Sequence, residues 1–111
     1  MPQDVELREN DVALIHPVGR LDMSSAHELR DAVAAALSGG ARRLLVDMSG
    51  VSFVDSSGLG AIIGGLKAAR LSGGDLRLVN PSEQARSVLA LTTLDRVLRI
   101  YDTEDDALAE R

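Results

Sequence analysis

Leu44-Leu45-Val46-Asp47-Met48-Ser49-Gly50-Val51-Ser52-Phe53-Val54-Asp55-Ser56-Ser57-Gly58-Leu59-Gly60, residues 44–60, is the stretch from which both fold and function are read. Strand-type residues run straight into Asp-Ser-Ser-Gly-Leu-Gly, and an amphipathic helix follows to about Leu71, with Leu59, Ile62, Ile63 and Leu66 on one face. Leu44 to Met48 is a short apolar run between a basic pair and a Ser-Gly turn, which reads as a buried central strand. Two hydroxyls therefore stand where a strand hands over to a helix, beside free backbone N–H groups and a field that favours negative charge. A serine placed there can be a cap, a nucleophile, an anion ligand or a phosphorylation switch.

Outward from this stretch, strands and helices alternate. Val5 to Glu9 and Val12 to Val18 read as two strands joined by a turn at Asn10-Asp11, with Pro17 marking an edge or a strand end. Ser25-Ala26-His27-Glu28 fits a capping box ahead of Leu29, Val33, Ala36 and Leu37, and Gly39-Gly40 stops that helix. Ser72-Gly73-Gly74 ends the next one. Asp75 to Val79 is a strand, Pro81-Ser82 opens a helix through Val88, Leu89 and Leu91, and Val97 to Tyr101 is a last strand. Thr103-Glu104-Asp105-Asp106 caps a short terminal helix. The expected order is ββαβαβαβα. It describes an α/β domain over residues 1–111, with a mixed, mostly parallel sheet of about five strands and four helices.

Composition removes several functions. With 111 residues, 45% hydrophobic and 26% charged, the chain suits one soluble core. A net charge of −5 and two aromatic residues, Phe53 and Tyr101, leave neither a basic face nor a stacking platform for nucleic acid. No cysteine is present, so disulfides and zinc-thiolate sites are excluded. The Met1-Pro2-Gln3-Asp4 start carries no signal-peptide pattern, and no apolar run approaches a membrane span. A cytoplasmic location is expected.

Most chemistry is excluded by what the turn lacks. A serine nucleophile needs a G-x-S-x-G frame and a base, and the two histidines, His16 and His27, read as solvated or partly packed. Gly58, Gly60 and Gly64 are spaced G-x-G-x-x-x-G, one residue too long for a dinucleotide fingerprint, and no Walker lysine follows. Gly64-Gly65 read instead as points of close backbone approach to the sheet. Asp22, Asp47 and Asp55 stand near strand ends, but aspartates beside turns are more often caps than metal ligands. No catalytic residue, metal or cofactor is expected.

The switch survives this elimination. Gly19-Arg20-Leu21-Asp22, Leu45-Val46-Asp47-Met48, Phe53-Val54-Asp55-Ser56-Ser57-Gly58-Leu59-Gly60 and Gly74-Asp75-Leu76-Arg77-Leu78-Val79 together resemble the STAS-domain anti-sigma factor antagonists over nearly the whole chain. The resemblance implies a single STAS-type domain whose phosphoacceptor is Ser56, with Ser57 as the alternative. It also implies an anti-sigma factor serine kinase as partner and a PP2C-type phosphatase that reverses the modification. The unphosphorylated form would bind the anti-sigma factor and free the sigma factor, as a monomer or weak dimer. The contact surface implied comprises Asp22, Asp55, Ser56, Ser57, Gly58, Leu59 and Gly60. Within it Ser57 is expected to be the helix N-cap and Ser56 the exposed hydroxyl, two roles that could be exchanged by one position, and Leu59 is either core or an exposed anchor. The alternative function is a ligand- or nucleotide-binding STAS module, or a scaffold subunit, without a kinase partner.

Overall fold

The computed structural model describes residues 4–8 and 11–109. Strands β1 (Asp4–Arg8), β2 (Val12–His16), β4 (Arg43–Asp47), β6 (Asp75–Val79) and β7 (Arg99–Tyr101) form a five-stranded sheet in that spatial order. The β1–β2 pair is antiparallel and the other pairs are parallel. Helices α1 (Ala26–Ser38), α2 (Ser56–Leu71), α3 (Glu83–Leu91) and α4 (Glu104–Ala109) complete the expected mixed α/β architecture. Two short strands, β3 (Gly19–Leu21) and β5 (Val51–Val54), pair in parallel as a separate sheet that the expected order did not contain.

Period-two burial on the central strands sends alternate residues to opposite covered faces, which explains the apolar runs of β2 and β4. Ala13, Ile15, Leu44, Val46, Leu76 and Leu78 enter the larger core with α1, α2 and α3, while Val12, Leu14, Leu45 and Val79 form a smaller one with Ala107 of α4. Each strand is thus covered on both faces. Gly65 lets α2 lie close against its neighbours, because a Cβ there would stand 3.0 Å from Leu76 Cδ1 and 3.2 Å from Val33 Cγ2. Gly64 has open space, so of the glycine pair only Gly65 makes the close approach.

Helix boundaries follow their caps. Ser82 Oγ accepts from Ala85 N at 3.1 Å and Thr103 Oγ1 from Asp106 N at 3.1 Å. Gly40 (φ 101°) and Gly73 (φ 87°) take the left-handed turns that end α1 and α2. Pro17 ends β2, which is a central strand and not an edge. The last strand is shorter than expected, because Leu94–Arg96 close into a 3-10 turn before it. Asp11 turns with φ 64°, whereas Asn10, Glu9 and the first three residues lie outside the described residues. Among the described residues no helix is long and apolar enough to cross a membrane.

Candidate functional site

The β3–β5 pair positions the site. Its parallel register sets Arg20 beside Phe53 and Leu21 beside Val54, so the helices that follow, α1 and α2, begin side by side. The Arg20 guanidinium lies 4.3 Å from the Phe53 ring centroid and ties the two strands across their outer face.

Asp55 is the N-cap of α2, which corrects the expectation for Ser57. Its backbone is extended (φ −107°, ψ −172°), and Oδ1 accepts from Gly58 N at 2.9 Å. Oδ2 accepts from Met23 N at 3.3 Å, and its own N–H donates to Leu21 O at 3.2 Å. One carboxylate therefore caps one helix and holds the loop that leads into the other. Ser56 becomes the first residue of α2 and is exposed, and Ser57 is second and half-buried.

Gly58 is buried for a steric reason. A Cβ there would stand 2.3 Å from Leu21 O and 3.0 Å from Leu21 Cγ. Leu59 is 8% exposed and belongs to the core, so the exposed-anchor alternative is ruled out. Gly60 is exposed with open space around it. Of the proposed contact residues, Ser56 and Gly60 are thus at the surface, Asp22, Asp55 and Ser57 are half-buried, and Gly58 and Leu59 shape the site from behind. Met23, which the sequence reading passed over, is 80% exposed on the loop that Asp55 holds.

The capping box expected at Ser25 does not form. Ser25 has helical backbone angles and no side-chain cap, because its hydroxyl donates to Arg20 O at 2.6 Å and accepts from Asp22 N at 3.0 Å. Asp22 instead folds an Asx-turn, Oδ1 accepting from Ser24 N at 3.0 Å and Ser24 Oγ at 2.7 Å. The Ser24 hydroxyl, with help from Arg20, holds the Asp22 carboxyl below the usual carboxylate range. It is an anion at neutral pH.

His16 stands in β2 and His27 in the first turn of α1. His16 Nδ1 lies 3.2 Å from Asp47 Oδ2, and Nε2 lies 3.1 Å from Glu6 Oε1 without hydrogen-bond alignment. His27 is exposed on α1. Asp47 is engaged by His16 and by Ser49, and burial alone would raise its pKa, but these partners outweigh burial and lower it. Among the described residues no cluster of three or more His, Cys, Asp or Glu could hold a metal ion.

Gln84, another residue the sequence reading did not single out, clamps the strand that carries the site. Its Oε1 accepts from Val54 N at 2.9 Å and its Nε2 donates to Val54 O at 2.8 Å. The pair satisfies a backbone position immediately before Asp55 from a helix 30 residues away in sequence. No local pattern announces such a contact. Gln84→Ala is expected to destabilise the chain by about 1–3 kcal/mol, the cost of stranding two backbone groups. Urea unfolding checks it, with Glu83→Ala, an exposed neighbour, expected to stay within about 0.5 kcal/mol of the parent.

A family model described as the STAS domain matches residues 4–107. A protein of Thermotoga maritima for which an anti-sigma factor antagonist role has been put forward is 37% identical over 102 residues, covering 91% of this chain and 90% of that one. The anti-sigma-B factor antagonist of Bacillus subtilis is 34% identical over 97 residues, 87% of each chain. Among solved structures, the anti-sigma factor antagonist SpoIIAA in its unphosphorylated form superposes with a TM-score of 0.81 at 26% identity, covering 96% of this chain and 92% of that one. SpoIIAA in the phosphorylated form superposes with a TM-score of 0.75, again at 26% identity, covering 96% of each.

Proposed function

The chain belongs to the STAS domain family, among the anti-sigma factor antagonists, and on that premise we propose that phosphorylation of Ser56 switches its binding to an anti-sigma factor that is also a serine kinase. It is a regulator and not an enzyme. The unphosphorylated form binds the kinase in the cytoplasm and releases a sigma factor, and a PP2C-type phosphatase restores it after modification.

The observation that carries this reading is the exposure of Ser56 as the first residue of α2, next to an Asp55 that already fills the cap position. The hydroxyl is not needed to finish the helix and is open to a kinase. A phosphate added there sits in the favourable field of a helix N-terminus, so the fold tolerates it. The partner meets a dianion flanked by the Asp55 and Asp22 carboxylates, all of one sign. That SpoIIAA resembles this chain in both its unphosphorylated and phosphorylated forms supports a switch by charge without refolding.

Intact mass after incubation with Mg-ATP and each anti-sigma kinase of the source genome tests the assignment. The parent chain and Ser57→Ala are expected to gain one phosphate, and Ser56→Ala none. Gain by Ser56→Ala with loss in Ser57→Ala would move the acceptor to Ser57. Absence of both phosphate transfer and binding with every kinase would leave a ligand-binding module as the better reading.

A further inference from the structure

The surface around Ser56 has no apolar centre where one was expected. Leu59 is core, and Ser56 and Gly60, the two residues of the set at the surface, carry no apolar side chain. The exposed apolar side chain at this end of the molecule is Met23. Leu71 and Leu91 are exposed to a similar degree, but each is the last residue of its helix, α2 and α3. Val18 precedes β3 beside the Gly50 turn, at the opposite end of the β3–β5 pair from Met23. Single exposed apolar residues of that kind are ordinary.

Met23 differs because its backbone is fixed. On one side the Asp22 carboxylate accepts from Ser24 N and Ser24 Oγ, and the Ser25 hydroxyl joins Arg20 O to Asp22 N. On the other, Met23 N donates to Asp55 Oδ2 at 3.3 Å. A partner that covers the side chain therefore has little loop freedom left to remove. Asp55 is also the residue that precedes Ser56, so one carboxylate fixes the place of both. The charged neighbours of Met23 are Asp22, Asp55 and, through the Asp22 carboxylate, Arg20. An apolar side chain among charged ones is the anatomy of an interface hot spot.

Resting on the switch proposed for Ser56, we infer that Met23 is the apolar anchor by which the anti-sigma kinase grips the unphosphorylated chain. One side chain is too small to make an interface of its own, since stable ones bury about 1,200–2,000 Å² in total. Met23 is covered as part of a larger contact, and the contact that begins at Ser56 is continuous with it through Asp55. The partner's chemistry follows from this surface. It presents an apolar pocket for an unbranched thioether, with basic groups at the rim facing Asp22 and Asp55. Met23 offers no acid or base, so it sets affinity and takes no part in phosphate transfer.

The test is calorimetric titration of the full chain with each anti-sigma kinase of the source genome, for the parent and for Met23 variants. Met23→Ala is expected to weaken binding about thirtyfold, and Met23→Gln, of similar length but polar, about as much. Met23→Leu keeps both volume and apolarity and is expected within about threefold of the parent. Leu71→Ala and Leu91→Ala are expected to bind like the parent. With Mg-ATP, Met23→Ala should raise the KM for the chain and leave kcat unchanged, as loss of uniform binding does. Thermal scans should show every Met23 variant as stable as the parent, because the side chain is exposed. Met23→Ala or Met23→Gln binding like the parent would overturn the anchor and leave the switch standing. A parent that binds no kinase would overturn the switch and the anchor with it. A fall in kcat alone, or a dimer of the parent that Met23→Ala dissolves in light scattering, would likewise refute the anchor.

Discussion

Phosphate on Ser56 is expected to weaken binding of the anti-sigma kinase about a hundredfold while leaving the melting temperature of the chain within about 3 °C of the unmodified form. The first number corresponds to about 2.7 kcal/mol. Excluding water from an unpaired dianion costs several kcal/mol, so the modest loss requires only partial burial of the group at the interface. The second number follows from the position of Ser56 in the first turn of α2, where a helix favours an anion by about 0.3–1 kcal/mol. The two measurements are calorimetric titration with the kinase and a thermal scan of the purified phosphoprotein. A phosphoprotein that loses binding only because it melts many degrees lower would show the switch to be unfolding. Raising the salt concentration should partly restore binding if repulsion from Asp22 and Asp55 carries the effect, since exposed charges are screened within about 8–10 Å.

Gly58→Ala is expected to destabilise the chain by about 2 kcal/mol and to lower its melting temperature by about 10 °C. In an ordinary helix the same change would stabilise by up to about 1 kcal/mol, because alanine loses less backbone freedom. Here the new methyl would stand 2.3 Å from Leu21 O, a backbone atom of a fully buried residue that also accepts from Asp55 N. It cannot retreat without separating β3 from the start of α2. The displacement would disturb the Met23–Asp55 and Gly58–Asp55 hydrogen bonds together, so kinase binding should fall even in the folded fraction. Gly60→Ala is the matched control. It lies in the same helical turn with open space around it, and it is expected to be neutral or slightly stabilising. Equal effects of the two substitutions on unfolding midpoints would disprove the close-approach account.

The residues that read correctly from sequence are those whose structure is decided locally. Thr103 caps its helix as expected, α3 opens after Pro81-Ser82, Gly40 and Gly73 take the left-handed turns, and the apolar run Leu44-Leu45-Val46 of β4 is buried on two faces. Asp55 and Ser57 illustrate a limit within that local range. Asp and Ser cap about equally well, so adjacent candidates leave the boundary ambiguous by a position or two, and only the Asp55–Gly58 bond decides. Ser25 shows a different limit. Its four-residue pattern is a proper capping box, but the hydroxyl meets Arg20 O and Asp22 N first, in a turn shaped by strand pairing. The β3–β5 sheet was invisible for a related reason. Strands of three and four residues carry almost no periodicity, and their partnership spans about thirty residues of chain. Gln84 and the Arg20–Phe53 contact are likewise products of the assembled fold.

The strand order of the main sheet, β1-β2-β4-β6-β7, never doubles back. Each strand is laid down beside the one most recently added to that sheet, always at the same growing edge. No strand has to be threaded between two that are already joined. A chain emerging from the ribosome can therefore assemble from its first hairpin onward, each helix–strand unit docking as soon as it is free. The β3–β5 pair closes when residue 54 has emerged, and α2 follows before the second half of the sheet exists. The Gln84 clamp waits for later residues, together with β6, β7 and α4. The topology thus allows the switch end to take shape early in synthesis and to be fastened afterwards, from α3.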